Sequence, residues 1–147
     1  MRQVTMAELH LARRLLMFEA DQCPDPKDTA GAEERACRKL RFHLVRLIGR
    51  EGYFALLTRA LALAKAKTPW LSGVTITPDG SLEGLRNAAL DQDAESTAEG
   101  YVAFLAHIIR LLVIFIGKTL TIRILSEAWP ETIVDGAALG SKGETEQ

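Results

Sequence analysis

The stretch YVAFLAHIIRLLVIFIG, residues 101–117, decides the fold of this chain. Within it only His107 and Arg110 interrupt an apolar run, and because they are three residues apart they fall on one side of a helix. A helix that is apolar on nearly every side is normally buried in a protein core. A bilayer span needs about 20 apolar residues, and this run is shorter and carries Arg110 near its middle. We therefore predict a core helix with no membrane span.

Covering such a helix on all sides requires several other helices or a second copy of the protein. The chain has 147 residues, which corresponds to one domain by the usual range of about 100–200 residues per domain. Apolar surface left in contact with water marks an interaction site. We therefore predict an all-α, bundle-like domain of about five or six helices that forms a homodimer partly through residues 101–117.

Segments on the N-terminal side of this run also show helical periodicity. Apolar residues at helical spacing predict helices over residues 4–19, from residue 28 or 29 to 48, and over 53–67. Thr5 and Glu8 have the spacing of a capping box at the start of the first helix. Three consecutive helices ahead of residues 101–117 are consistent with the all-α prediction.

The segments around and beyond the central run are less regular. Residues 70–80 favour a turn or a short extended piece, and residues 81–90 a short helix. The run 119–125 alternates polar and apolar residues, which is typical of a strand, although it also fits a short helix. We predict that residues 1–134 form the domain and that 135–147, which are small and polar, form a disordered tail.

Two stretches of the sequence resemble each other. LVRLIGREGYFALLTRA begins at Leu44 and LVIFIGKTLTIRILSEA begins at Leu112, and both contain Leu-Val, an Ile-Gly pair and a basic residue. A Trp beside a Pro follows each stretch. The likeness predicts an internal repeat of a helix, a glycine hinge and a second helix, and it favours helix over strand for residues 119–125.

Composition excludes some classes of function. The net charge is -1, so the chain as a whole does not attract the phosphates of nucleic acid. The N-terminus lacks the apolar segment of a secretory signal, and the two cysteines, Cys23 and Cys37, are not in a C-x-x-C pair. We expect reduced thiols and a cytoplasmic protein. The arginines of the second helix form a basic face, which is either solvated or contacts an acidic partner.

The three histidines share one local pattern, in which Arg follows His three residues later. His43 is the strongest case because Arg46 and Arg50 lie on neighbouring helical turns. This pattern resembles histidine phosphotransfer domains, which carry a reactive His on a bundle helix near a basic residue. The resemblance implies phosphotransfer through His43. The alternative interpretation is that each His-Arg pair lies at the polar margin of an amphipathic helix, where long side chains reach the solvent.

A pocket for a small apolar or anionic ligand is a second alternative. His107 and Arg110 would supply its polar groups, and Trp70 and Trp129 its aromatic walls. We find no metal-ligand spacing and no cofactor motif, and we read Glu33 and Glu34 as a solvated first helical turn.

The sequence contains no recognisable set of catalytic residues, and its central helix has more apolar surface than a single domain readily covers. Both observations favour an interaction role. We expect a non-catalytic regulatory or protein-interaction module whose partners are a second copy of itself and another protein, with no nucleic acid and no cofactor. Phosphotransfer through His43 and ligand binding near His107 and Arg110 remain the alternatives.

Overall fold

The structure is a computed structural model that describes residues 4–25, 28–132 and 139. In this part of the chain α-helices dominate, which confirms the all-α prediction. The helices are α1 (Met6–Gln22), α2 (Thr29–Lys67), α3 (Leu85–Ala88), α4 (Ala94–Ile116) and α5 (Lys118–Ala128). A 3-10 turn (Pro69–Gly73) and the antiparallel two-residue strands β1 (Thr75–Ile76) and β2 (Leu82–Glu83) connect α2 to α3.

Capping side chains explain where the long helices begin. The predicted capping box is confirmed: the Thr5 hydroxyl accepts a hydrogen bond from the Glu8 N–H at 3.0 Å, and the Glu8 carboxylate accepts one from the Thr5 N–H at 2.9 Å. Asp28 caps α2 and Asp93 caps α4 in the same way, through the N–H groups of residues three positions later. Each cap satisfies a backbone donor that the first helical turn leaves without a partner.

Two glycines interrupt the helices at the predicted hinge positions. Gly49 (φ 81°, ψ 168°) breaks α2 into two parts, and Gly117 (φ 88°, ψ 161°) separates α4 from α5. Both glycines therefore have nearly the same conformation, in a region that L-residues rarely adopt, and helical structure resumes directly after each. Residues 119–125 are helical and not a strand. The internal repeat itself stays a prediction, because the shared conformation concerns only these two residues.

The central helix α4 is covered by the chain itself. Its buried positions face α1 and α2, which pack against it. They are Thr97, Gly100, Tyr101, Val102, Phe104, Leu105, Ala106, His107, Ile108, Ile109, Leu111 and Leu112. A second copy is therefore not needed to bury most of residues 101–112, and the large apolar side chains of α4 that stay exposed, Ile114 and Phe115, lie in its last turn. The homodimer remains a prediction.

Among the described helices, α4 is the one that is long and apolar enough to cross a membrane, judged by length and composition alone. However, 61% of its most apolar 18-residue stretch is buried inside the protein.

Other predictions for the second half of the chain had mixed outcomes. The short helix predicted for residues 81–90 is reduced to Leu85–Ala88, because Leu82 and Glu83 pair with β1. The predicted tail, residues 135–147, lies outside the described residues except for Leu139, which is buried. That one residue therefore belongs to the core cluster.

Candidate functional site

A buried carboxylate on α1 organises the neighbouring face of α2. Glu19 has no solvent exposure, and its Oε1 accepts a 3.0 Å hydrogen bond from Nε of Arg35. The Glu19 Oε2 lies 2.5 Å from Nζ of Lys39 and accepts a 2.8 Å hydrogen bond from Nε1 of Trp129. A buried charge with several hydrogen-bonded partners is held in one geometry. Glu19 thus holds the charged groups of two side chains that project from α2, Arg35 and Lys39.

These cations border a depression that we call the basic groove. It has a volume of about 330 Å³ and is lined by Arg35, Arg38, Lys39, Phe42 and His43. All five residues lie on α2 at helical spacing, so the helix alone brings them onto one face. Every lining side chain is therefore cationic, aromatic or a histidine, and no carboxylate contributes to the lining.

An exposed aromatic ring lies in the middle of this basic face. Phe42 is 62% exposed, and the guanidinium of Arg46 lies over its ring at 5.7 Å. Arg38 and Arg46 are exposed, and neither forms an ion pair with a described carboxylate. Free cationic charge beside an uncovered apolar ring is the arrangement with which a surface can bind an anionic partner that also carries an apolar group.

The predicted phosphotransfer residues come together only in part. The His43 side chain is 22% exposed, its ring packs edge-on against Phe42, and its Nδ1 lies 3.8 Å from Oε1 of Glu127 on α5. Arg46 lies on the same exposed face, next to Phe42. Arg50 follows the break at Gly49 and lines a different depression, beside Phe54 and Pro78. His43 and Arg46 are therefore neighbours, whereas Arg50 is separated from them.

The polar strip of α4, which was predicted to line a ligand pocket, faces α1. Nη1 of Arg110 lies 3.4 Å from Oε2 of Glu8, and both side chains are largely buried. Burial raises the pKa of Glu8 in spite of the opposing effects of its contacts with Thr5 and Arg110. His107 is buried as well, and this burial lowers its pKa. The positive charge of the nearby Lys67 lowers the pKa further, by a smaller effect. Within the part of the chain that the structure describes, Nδ1 of His107 and Nε of Arg110 have no hydrogen-bond partner.

The two tryptophans of the predicted pocket lie elsewhere. Trp70 packs edge-on against Tyr101, with ring centroids 5.6 Å apart, and Trp129 is fully buried against Glu19. Glu8 and Glu19 are separated by eleven residues of α1, which at 1.5 Å per residue is about 16 Å. Arg110 and Trp129 therefore contact opposite ends of α1. The four predicted residues do not form one cluster, and the depressions that we describe are lined by other residues.

A second depression, the α1–α4 groove, is mainly apolar. It has a volume of about 380 Å³ and lies between α1, the start of α2 and the N-terminal half of α4. Its apolar lining includes small side chains, and three charged residues border it. The lining residues are Leu16, Met17, Ala20, Thr29, Ala32, Ala98, Tyr101 and Val102, and the charged residues are Arg13, Glu95 and Glu99.

The prediction that Glu33 belongs to a solvated turn is wrong. Glu33 has no solvent exposure, and neither of its carboxylate oxygens has a hydrogen-bond partner among the described residues. Burial raises the pKa of Glu33 well above its usual value, because it disfavours the charged form. The sequence contained a signal for this burial, because Glu33 precedes Cys37 by one helical turn and so falls on the same buried face.

The thiols are poor candidates for chemistry. Both cysteines are free and buried, and burial raises the pKa of Cys37 well above its usual value, with smaller contributions from Glu33 and Glu34. Among the described residues, no three His, Cys, Asp or Glu side chains are grouped closely enough to hold a metal ion. The basic groove is therefore the arrangement with the clearest chemical preference.

Comparisons with known proteins gave no match: neither a protein-family model nor a curated protein nor a solved structure is significantly similar to this chain.

Proposed function

We propose that this chain is a non-catalytic interaction module that binds an acidic segment of another protein in the basic groove. The observation that carries the proposal is the lining of the groove, in which four cationic or histidine side chains surround the exposed ring of Phe42. An acidic segment would place its carboxylates on the free guanidiniums and an apolar side chain on Phe42.

Preorganisation supports this role. Glu19 and the ring of Trp129 hold Lys39 in place, since the Lys39 ammonium lies 5.4 Å from the Trp129 ring and 5.0 Å from the Phe18 ring. Side chains that are ordered before binding lose less conformational entropy when a partner docks. The groove therefore offers positioned side chains at Arg35 and Lys39, which are paired with Glu19, and the exposed charge of Arg38, with the exposed Arg46 beside Phe42.

The test is the binding of a fluorescein-labelled peptide of Asp and Glu with one central Leu, measured by fluorescence anisotropy. We expect binding that weakens as salt is added, because exposed charges are screened. Arg38→Glu and Phe42→Ala should each weaken it by about tenfold, the effect of losing about 1.4 kcal/mol at an interface. Arg59→Glu is the matched control, because Arg59 is also exposed on α2 but lies beyond Gly49 and outside the groove.

Two results would contradict the proposal. Equal losses for Arg38→Glu and Arg59→Glu would mean that the peptide responds only to overall charge. Tighter binding of a single-stranded oligonucleotide than of the peptide would make nucleic acid the preferred partner of this face.

Phosphotransfer through His43 is the second candidate, and the contact with Glu127 makes it the weaker one. A carboxylate 3.8 Å from Nδ1 would repel a phosphoryl group at that nitrogen. The test is incubation with acetyl phosphate followed by intact-mass measurement at alkaline pH, with His43→Gln as the control. A phosphate adduct that is absent from the variant would favour phosphotransfer over a purely non-catalytic role.

A further inference from the structure

The outer face of α1 carries apolar side chains that nothing in the described chain covers. Met6 is 66% exposed and Met17 is 62% exposed, and His10 and Arg13 lie exposed between them on the same side of the helix. The spacing of 6, 10, 13 and 17 is that of a helix face that packs against another helix. Methionine is also the side chain that adapts most readily to a partner surface.

The α1–α4 groove lies directly beside this face. Met17 and Arg13 border it on the α1 side, and Glu95 and Glu99 border it on the α4 side. The groove is lined mainly by apolar side chains, and three of them are alanines, which leave room for a protruding side chain. One surface therefore combines a protruding side chain, Met17, with a depression that can receive one.

The charges at the groove are opposite in sign but do not pair within the chain. Arg13, Glu95 and Glu99 are exposed, and none of them forms an ion pair with a described residue. A partner of a single charge would be attracted by one wall and repelled by the other. In a pair of copies related by a two-fold axis, Arg13 of each copy faces the acidic wall of the other, so both walls find a partner of opposite charge.

We infer that the α1–α4 groove is the interface of a homodimer, in which Met17 of each copy enters the groove of the other and Arg13 pairs with Glu95 and Glu99 of its partner. This interface shares only Tyr101 and Val102 with the one expected at residues 101–117, because the chain itself already covers most of those residues. It also lies apart from the basic groove, whose lining residues all belong to α2. An experiment can therefore contradict dimerisation at the α1–α4 groove without affecting the proposal for the basic groove, and the reverse.

The first experiment measures the mass of the full chain by analytical ultracentrifugation over a range of micromolar concentrations. We expect a dimer whose dissociation constant rises by about tenfold or more in Arg13→Glu and in the double variant Glu95→Arg/Glu99→Arg, because each change opposes like charges. Met17→Glu should also dissociate the dimer. Phe115→Glu is its matched control, because Phe115 is 67% exposed but lies sixteen residues beyond Glu99, about 24 Å along α4, and does not line the groove.

A mixing experiment separates pairing between copies from any effect within one chain. Arg13→Glu protein and Glu95→Arg/Glu99→Arg protein, each weakened alone, should form a heterodimer when combined, because both contacts then regain opposite charges. Circular dichroism of each variant would show that it is folded.

A wild-type protein that stays monomeric at every concentration would overturn the inference. A dimer that resists both Arg13→Glu and Met17→Glu would do the same, since it would use another surface, and so would a mixture that forms no heterodimer.

Discussion

Trp129 donates a 2.8 Å hydrogen bond from Nε1 to Oε2 of Glu19, which lies 110 positions earlier in the chain. Both side chains are fully buried. The bond joins the first helix to the residue that follows α5, and the same carboxylate holds Arg35 and Lys39 of α2. One buried acid thus connects three helices and sets the geometry of the basic groove.

Replacing Trp129 by Phe tests how much this bond contributes. The substitution keeps an aromatic ring but removes the N–H donor, so Glu19 loses one of its three partners. A hydrogen bond to a charged group contributes about 1.5–3 kcal/mol, and we expect the free energy of unfolding to fall by about that amount. The measurement is urea denaturation followed by circular dichroism.

The control is Trp70→Phe, because Trp70 packs against Tyr101 without a hydrogen bond from its ring nitrogen to a described residue. If Trp70→Phe and Trp129→Phe lowered stability equally, the loss of ring volume and not the bond to Glu19 would be responsible.

Glu33 should make stability fall as the pH rises. Its pKa is raised in the folded state by burial, from a usual value of 4.5 that applies to the unfolded chain. Above pH 4.5 the unfolded chain releases this proton while the folded protein retains it, so alkaline conditions favour unfolding through this group. The free energy of unfolding then falls by up to about 1.4 kcal/mol per pH unit for this one proton, until the pH reaches the pKa of Glu33 in the folded state.

The variant Glu33→Gln removes that proton equilibrium and nearly preserves the side-chain shape. We expect the free energy of unfolding of the variant, relative to that of the wild type, to increase as the pH rises above 4.5. Urea denaturation at several pH values measures this difference. Other titrating groups, such as His107, are common to both proteins and cancel in it. A difference independent of pH would contradict the raised pKa of Glu33.

The two hinge glycines should resist substitution for a conformational reason. A Cβ at Gly49 or Gly117 would meet no described atom within 4 Å, so crowding does not decide, but both residues combine a positive φ with an extended ψ. This backbone region is essentially confined to glycine and costs another residue about 1–3 kcal/mol, which is the loss we expect for Gly49→Ala and for Gly117→Ala in urea denaturation. Gly73→Ala is the control, since Gly73 has no positive φ and an added Cβ would lie 3.8 Å from Ala88. A larger loss in the control would refute the conformational argument.

Disrupting the Arg110–Glu8 contact tests whether the polar strip of α4 stabilises the fold or forms part of a ligand site. Arg110→Met should lower the free energy of unfolding by about 1–3 kcal/mol, because it leaves the buried Glu8 carboxylate with fewer partners. Adding Glu8→Gln removes the charge while keeping a side chain that can complete the capping box, and it should recover part of the loss. Thermal denaturation of the single and double variants gives the coupling. An Arg110→Met variant as stable as the wild type would return Arg110 to the candidates for ligand binding.

Local sequence patterns were sufficient for much of the fold. The Thr5 capping box and the breaks at Gly49 and Gly117 depend on residues within a few positions of each other, and each lies where the pattern predicted it. The short helix expected over residues 81–90 is shortened because Leu82 pairs with Ile76, a contact outside the local window. Long-range pairing overrides local propensity at such positions.

The candidate site was harder to predict, because its parts meet only in three dimensions. The arginines of α2 were visible as a basic face, but nothing local connects them to Glu19 or to Trp129. The prediction for Glu33 is wrong because acidic residues near a helix start are usually solvated, whereas the fold places Glu33 in the interior, where Tyr53 and Tyr101 are also buried. A charged residue on a stripe of buried positions is the signal to follow in such cases.

The position of α4 along the chain affects how the protein is made. During synthesis α1 and α2, the two helices that cover most of α4, leave the ribosome before it does, and α5 follows it. The most apolar segment thus emerges beside a surface that is ready to receive it. Circular permutation that moves α4 ahead of α1 would keep every native contact except those at the new ends, yet it would expose that helix to chaperones and to aggregation until its cover is translated.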